Sequence, residues 1–314
     1  MLGRARRSSD RLPRESQHEE FLAFHFVLSA EMSTAKVQTT LRMPAEHGAW
    51  GILLVPFFCA AAVAGSWNAS LLFAGACVFG LFLLRASLKP WISSKQIEDR
   101  GAGGWRSTLR PAHYALVAAT GAAAGLLVFV YHRYQFIWIG LAALLLYLFR
   151  QLLIRPRRDP GREQRSLAAE LVGVGLLTLT APIAWIAARG VLEPSGVRVW
   201  LLNLLFFCGG VVYVKYRVRG LLAHRHFRSA GERLAFAWPV FVYHLLLAAF
   251  LAYGVILGRQ PATILLAFIP GILRANGLLF QLGRRFAISR LGWNEIVHSL
   301  LFALLLVLAF RTAS

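Results

Sequence analysis

The stretch AFAWPVFVYHLLLAAFLAYGVIL, residues 235–257, contains no Asp, Glu, Lys or Arg, whereas the preceding segment, 215–234, carries six Lys or Arg side chains. As a helix rising 1.5 Å per residue, such a run reaches about 35 Å, enough to cross a hydrocarbon layer about 30 Å thick. Lipid supplies no partner for a bare backbone N–H or C=O, so a crossing segment must satisfy them within itself as a helix. The same pattern recurs along the chain. It predicts an all-α, polytopic bundle of about nine transmembrane helices, near 47–65, 69–84, 111–131, 135–149, 168–188, 198–214, 235–257, 261–281 and 294–310. The fourth is the shortest and leans on Tyr131 and Tyr134 as interfacial anchors.

Of the 34 Lys and Arg, 28 fall in five segments, 1–46, 85–110, 150–166, 215–234 and 282–293, which alternate with apolar hairpins. Positive loops stay on the cytoplasmic side, so the chain is expected to run N-in and C-out. A soluble fold would have to pack most of its 57% hydrophobic residues into one core from helices that are apolar all round. The net charge of +20 is spread over loops beside the spans and not gathered on one face. It therefore points to anionic lipid headgroups as partners and away from nucleic acid.

Residues 1–42 are read as a polar, disordered cytoplasmic tail, and 43–314 as a single transmembrane domain. The apolar run FLAFHFVLSA within the tail is too short to span. Met43 directly precedes the first strong motif and is an alternative start. Cys59, Cys77 and Cys208 all lie in predicted spans without a C-x-x-C pair and are read as packing thiols.

An ionisable group in the hydrocarbon costs about 2.5–3.5 kcal/mol on insertion scales, so each one asks for a reason. Glu46 and His47 open the first span, His113 the third, Glu170 the fifth, and Glu295 with His298 the ninth; Glu232 precedes the seventh. Helix N-termini favour carboxylates, so capping and pairing with basic loops is the simple reading. Arg274 lies about 12 Å inside the eighth span, after Pro270-Gly271, where a helix break would free carbonyls beside a cavity. It either snorkels to the interface or pairs with a carboxylate or an anion. His244 is the other deep group. Tyr213-Val214-Lys215-Tyr216-Arg217 closes the sixth span as an interfacial belt or as a cradle for phosphate or carboxylate, with Arg85, Lys89 and Trp91 as a possible counterpart. Glu295-x-x-His298 is half of a di-iron motif, and His47, His113, His244 and His298 would permit haem, but spacing supports neither.

Met43-Pro44-Ala45-Glu46-His47-Gly48-Ala49-Trp50 with Leu53-Leu54-Val55-Pro56 resembles the opening of the YwiC-like family of bacterial membrane proteins. Lys89-Pro90-Trp91, Ala169-Glu170-Leu171-Val172-Gly173, the Tyr213–Arg217 run and Leu291-Gly292-x-x-Glu295-Ile296-x-His298-Ser299 extend the resemblance over about 43–310. The likeness implies a cytoplasmic-membrane protein. Nine helices with long basic loops after the second and sixth are also distantly similar to the UbiA-type intramembrane prenyltransferases. Those enzymes hold an isoprenyl diphosphate through magnesium on Asp-rich motifs in these two loops. Here the first loop offers only Glu98-Asp99 and the second Lys215, Arg217, Arg219 and Arg225, so the metal-binding carboxylates are missing.

The sequence thus predicts a UbiA-like bundle with a cytoplasm-facing cavity for a lipophilic or anionic molecule such as an isoprenoid or a quinone, held without magnesium and with no cofactor. Its candidate lining is Glu46, His47, Glu170, Tyr213, Lys215, Arg217, His244, Arg274, Asn276, Glu295 and His298. If the protein is an enzyme, the resemblance implies transfer to or from a lipid-linked substrate. A small-anion transporter and a non-catalytic assembly or cofactor-insertion partner of a membrane complex are the competing classes.

Overall fold

Each apolar run becomes a helical rod, and there are nine among the described residues of the computed structural model, which are 47–98, 111–154, 166–222, 227, 229–282 and 288–312. In chain order these are α1 His47–Ala64, α2 Ala69–Glu98, α3 Pro111–Gly125 running on into a π-helical turn Leu126–Val130, and α4 Gln135–Leu153. The fifth rod is split into α5 Leu167–Thr178 and α6 Thr180–Arg189, and the rest are α7 Pro194–Leu222, α8 Ala230–Ile256, α9 Ile264–Gln281 and α10 Ile288–Arg311. Seven of the rods are long and apolar enough to cross a membrane, and Gly48–Ala64 and Ala69–Arg85 are shorter apolar helices. This is the composition of a multi-pass membrane protein.

Three expectations are corrected. The fourth rod, expected to be marginal, is 19 residues long and meets the length requirement; the two shorter apolar helices are the first and second. Several rods also continue well past their apolar cores, α2 to Glu98 and α7 to Leu222, because Lys and Arg are good helix formers that reach polar surroundings from the last turns. The sixth rod thus runs to Leu222 and the seventh begins at Ala230. Finally, α9 is continuous through Pro270, so the expected break at Pro270-Gly271 is absent. A proline removes one N–H and leaves the rest of the helical ladder in place when packing holds it. The real discontinuity sits at Leu179, three residues before Pro182, where the fifth rod divides.

At α7 the bundle has its hub, packing against α1, α5, α6, α8 and α9. Phe206 of α7 stacks on Phe302 of α10 with ring centroids 3.9 Å apart, and Phe268 of α9 meets Phe302 edge-on at 5.2 Å. These aromatics, with Trp185, Leu251, Ile264 and Leu306, form the main core. By contrast α4 turns Trp138, Leu145 and Leu152 outward, as a lipid-facing helix does. The turns distant from the basic segments are tight, and Gly65 and Gly258 supply the positive φ they need at +69° and +61°. At that end Asn68 donates to the Ala188 carbonyl and Ser70 to that of Ala187, tying α2 to α6.

Candidate functional site

Toward the basic end, α7, α9 and α10 converge on one guanidinium. Arg274, seven residues before the end of α9, lies about 10 Å from it along the axis. Its Nη1 donates to Glu295 Oε1 at 2.5 Å, and the two side chains are only 12% and 21% exposed. Because α9 and α10 pack as neighbours and Glu295 stands seven residues into α10, the pair sits at matched depth. The guanidinium carbon also lies 4.2 Å from the centroid of the Tyr213 ring, a cation–π contact in a poorly hydrated place. Tyr213 is itself held, since its hydroxyl donates to Gln281 Oε1 at 3.0 Å. Gly210 of α7 packs at ordinary contact distance from the pair. A Cβ there would stand 3.5 Å from Glu295 Oε2 and 4.0 Å from Arg274 Nη2. Arg274 Nε is buried and has no hydrogen-bond partner among the described residues.

A second group lies on the other side of α7. Lys215 pairs with Glu170 Oε2 at 2.7 Å, the lysine side chain 10% exposed and the glutamate 30%. Glu170 is in the first turn of α5, whose start is capped by Ser166 Oγ accepting from the Ala169 N–H, so the carboxylate stands where the helix dipole and Lys215 both attract it. One turn on, Gly173 lets Arg150 of α4 lie against α5; a Cβ at 173 would stand 3.2 Å from Arg150 Nε. Arg150 and Arg217 are both buried. The basic end therefore buries four cationic side chains, Arg150, Lys215, Arg217 and Arg274, around the start of α5 and the last third of α7. Such a set attracts phosphate or carboxylate, with arginine offering a planar fork of donors.

His244 of α8 is buried, and its Nδ1 stands 2.7 Å from the Val240 carbonyl. A carbonyl can only accept, so Nδ1 carries the proton and Nε2 keeps its lone pair. That Nε2 faces α7 at Gly209, where a Cβ would approach it to 3.4 Å and the Tyr243 ring to 3.0 Å. His298 bonds back to the Asn294 carbonyl at 2.7 Å, within its own helix. Asn276 is exposed and donates to the Ile272 carbonyl, so the structure does not bring it into the group around Arg274. Glu46, Asp99, Arg225 and the 1–42 tail lie outside the described residues, as do the side chains of His47, Lys89, Trp91 and Glu98. Glu232 is exposed in the first turn of α8, below the Ser229 cap. Among the described residues no three His, Cys, Asp or Glu side chains come together as a metal would need.

Sequence reasoning missed Arg150, Gln281 and the pair Gly209-Gly210. Arg150 was hidden because a basic residue at a helix end looks like any topology signal. The glycine pair was visible, and small residues in an apolar span do mark close helix approach.

Residues 43–185 match the model of the YwiC-like protein family, which includes the motifs at 43–56, 89–91 and 169–173. A Bacillus subtilis (strain 168) protein bearing the name Uncharacterized protein YwiC is 28% identical over 262 residues, covering 83% of this chain and 94% of the relative. A Haemophilus influenzae protein is 24% identical over 148 residues, 47% of this chain and 55% of its own length. No solved structure matches at a significant level. The YwiC-like resemblance read from the motifs is therefore upheld.

Proposed function

We propose that this YwiC-like protein crosses the bacterial cytoplasmic membrane nine times, with its basic end in the cytoplasm, and that the side chains around Arg274 receive the anionic head of a lipophilic molecule from that leaflet without magnesium. Arg274 carries the reading. It is a permanently charged group set about 10 Å inside its helix, where charge is costly. It has five N–H donors; Nη1 is taken by Glu295 while Nε has no partner among the described residues. A pair kept only to hold the bundle together would gain little over apolar packing of similar volume. An anion completing the guanidinium gives the cost a purpose.

Further support comes from what surrounds the pair. The Tyr213 ring holds the guanidinium from one side, while Arg150, Lys215 and Arg217 lie toward the basic end from which a headgroup would enter. In its nine-helix order we read the bundle as UbiA-like, opening a cavity toward the cytoplasm. Where such enzymes need aspartates for magnesium, this chain has Lys215, Arg217 and Arg219, so cationic side chains take over the charge directly. His244 Nε2 lies one residue along α7 from the pair, against Gly209.

Solvent extraction and negative-ion mass spectrometry of the purified protein test the reading. An acidic lipophile in near-stoichiometric amount should accompany the wild type and be lost from the Arg274→Met/Glu295→Leu double variant while folding persists. No such molecule in the wild type, or the same yield from both proteins, would sink it.

A further inference from the structure

We infer that a layer of oxygen acceptors halfway across the bundle, Asn203 Oδ1 with the Ile52 and Thr178 carbonyls and the Thr178 and Thr180 hydroxyl oxygens, binds a sodium-sized monovalent cation. This goes beyond the anion site and is independent of it. Asn203 is 0% exposed; its Nδ2 donates to the Val199 carbonyl of its own helix at 2.8 Å, and its Oδ1 has no partner among the described residues. An acceptor stranded in the interior of a membrane bundle calls for an occupant.

Two contacts set the register of α7 against the fifth rod. The Gly196 backbone lies against Trp185, where a Cβ would come within 2.6 Å of the indole, and Lys215 pairs with Glu170 further along the same antiparallel helices. Seven residues on from Gly196 is Asn203, and seven back from Trp185 is Thr178. Thr180, two residues on, donates to the Leu53 carbonyl at 2.8 Å and so brings α1 to the same level. Both helices carry a proline just beyond. Pro56 removes the donor that the Ile52 carbonyl would otherwise receive, and Pro182 removes that of Thr178, where the fifth rod divides. Thr178 Oγ1 already donates to the Gly175 carbonyl. The side-chain donors of Asn203, Thr178 and Thr180 are thus committed to backbone, which leaves their oxygens as acceptors.

An acceptor-only set in a dry interior suits a cation or a donating water. Carbonyls freed in interrupted transmembrane helices are a recurrent sodium-binding device. Among the described residues no carboxylate is placed in the layer; Glu295 meets α7 at Gly210, seven residues toward the basic end. A divalent ion would require one.

The test is the thermal unfolding of the purified protein in NaCl, KCl and choline chloride at equal ionic strength. Sodium should raise the Tm of the wild type by about 2–4 °C over choline, and Asn203→Leu should abolish that rise. Equal Tm in all three salts, which is what an internal water alone gives, overturns the inference, as does a sodium effect that survives in Asn203→Leu. Should that variant fail to fold, Asn203→Ser, which loses the amide oxygen but keeps a polar group, takes its place with the same expected loss.

Discussion

Removing one member of the Arg274–Glu295 pair should hurt far more than removing both. In Arg274→Met the aliphatic stem is roughly kept, so packing changes little, but Glu295 is left 21% exposed with no counter-charge at this depth. Breaking a buried pair from one side costs about 3–5 kcal/mol. For a large chain about 2–4 °C of Tm accompanies each kcal/mol, so the single variant should unfold roughly 6–20 °C below the wild type. Glu295→Gln should fall by a similar amount, since it strands the arginine. In the Arg274→Met/Glu295→Leu double variant two apolar side chains fill the space, and stability should return to within about 1–2 kcal/mol of the wild type. Thermal unfolding in detergent, followed by intrinsic tryptophan fluorescence across the four proteins, measures this. Additive losses in the double variant, or single variants within about 2 °C of the wild type, would show that the pair is not the buried contact described. The double variant also separates structure from function, because it should be stable yet bind no anion.

Other perturbations follow from single contacts. Lys215→Met removes a pair whose glutamate is 30% exposed, so its loss should be under about 1 kcal/mol, well below that of Arg274→Met in the same unfolding assay. Gly196→Ala drives a methyl into the Trp185 ring and should lower stability by about 1–3 kcal/mol, whereas Gly48→Ala, with nothing within 4 Å, should be silent. Cys59 is buried in the core, so maleimide should leave it unlabelled until the protein is denatured, as read by intact mass. Single cysteines placed at Trp67 and at Ser229 should be labelled by a membrane-impermeant reagent from opposite sides of the membrane, Trp67→Cys from outside; labelling of both from one side would overturn the orientation.

The rods were legible because hydrocarbon leaves no choice but an internally bonded helix, and the apolar run at 235–257 differs from the observed α8 only at its ends. Those ends were misjudged since Lys and Arg both signal a loop and extend a helix, as in α2 and α7. Proline misled in the same way. Pro270 sits inside an unbroken helix, while the break follows from Pro182, and sequence spacing does not say which proline its neighbours will support. Of the site, the deep charges were visible as costly residues, but their pairing was not. Arg274 with Glu295 and Lys215 with Glu170 join side chains from different helices. Asn276, two positions from Arg274, falls on the opposite, exposed face of α9, a turn of about 200° that residue type alone does not reveal.

Electron cryo-microscopy of the protein purified without added ligand addresses the anion site most directly. Non-protein density within hydrogen-bonding distance of the Arg274 guanidinium, over the Tyr213 ring and continuing toward the basic end, is the predicted result. A guanidinium enclosed by Glu295 and apolar side chains, with no density beyond them, would contradict the account and leave the pair a structural clasp.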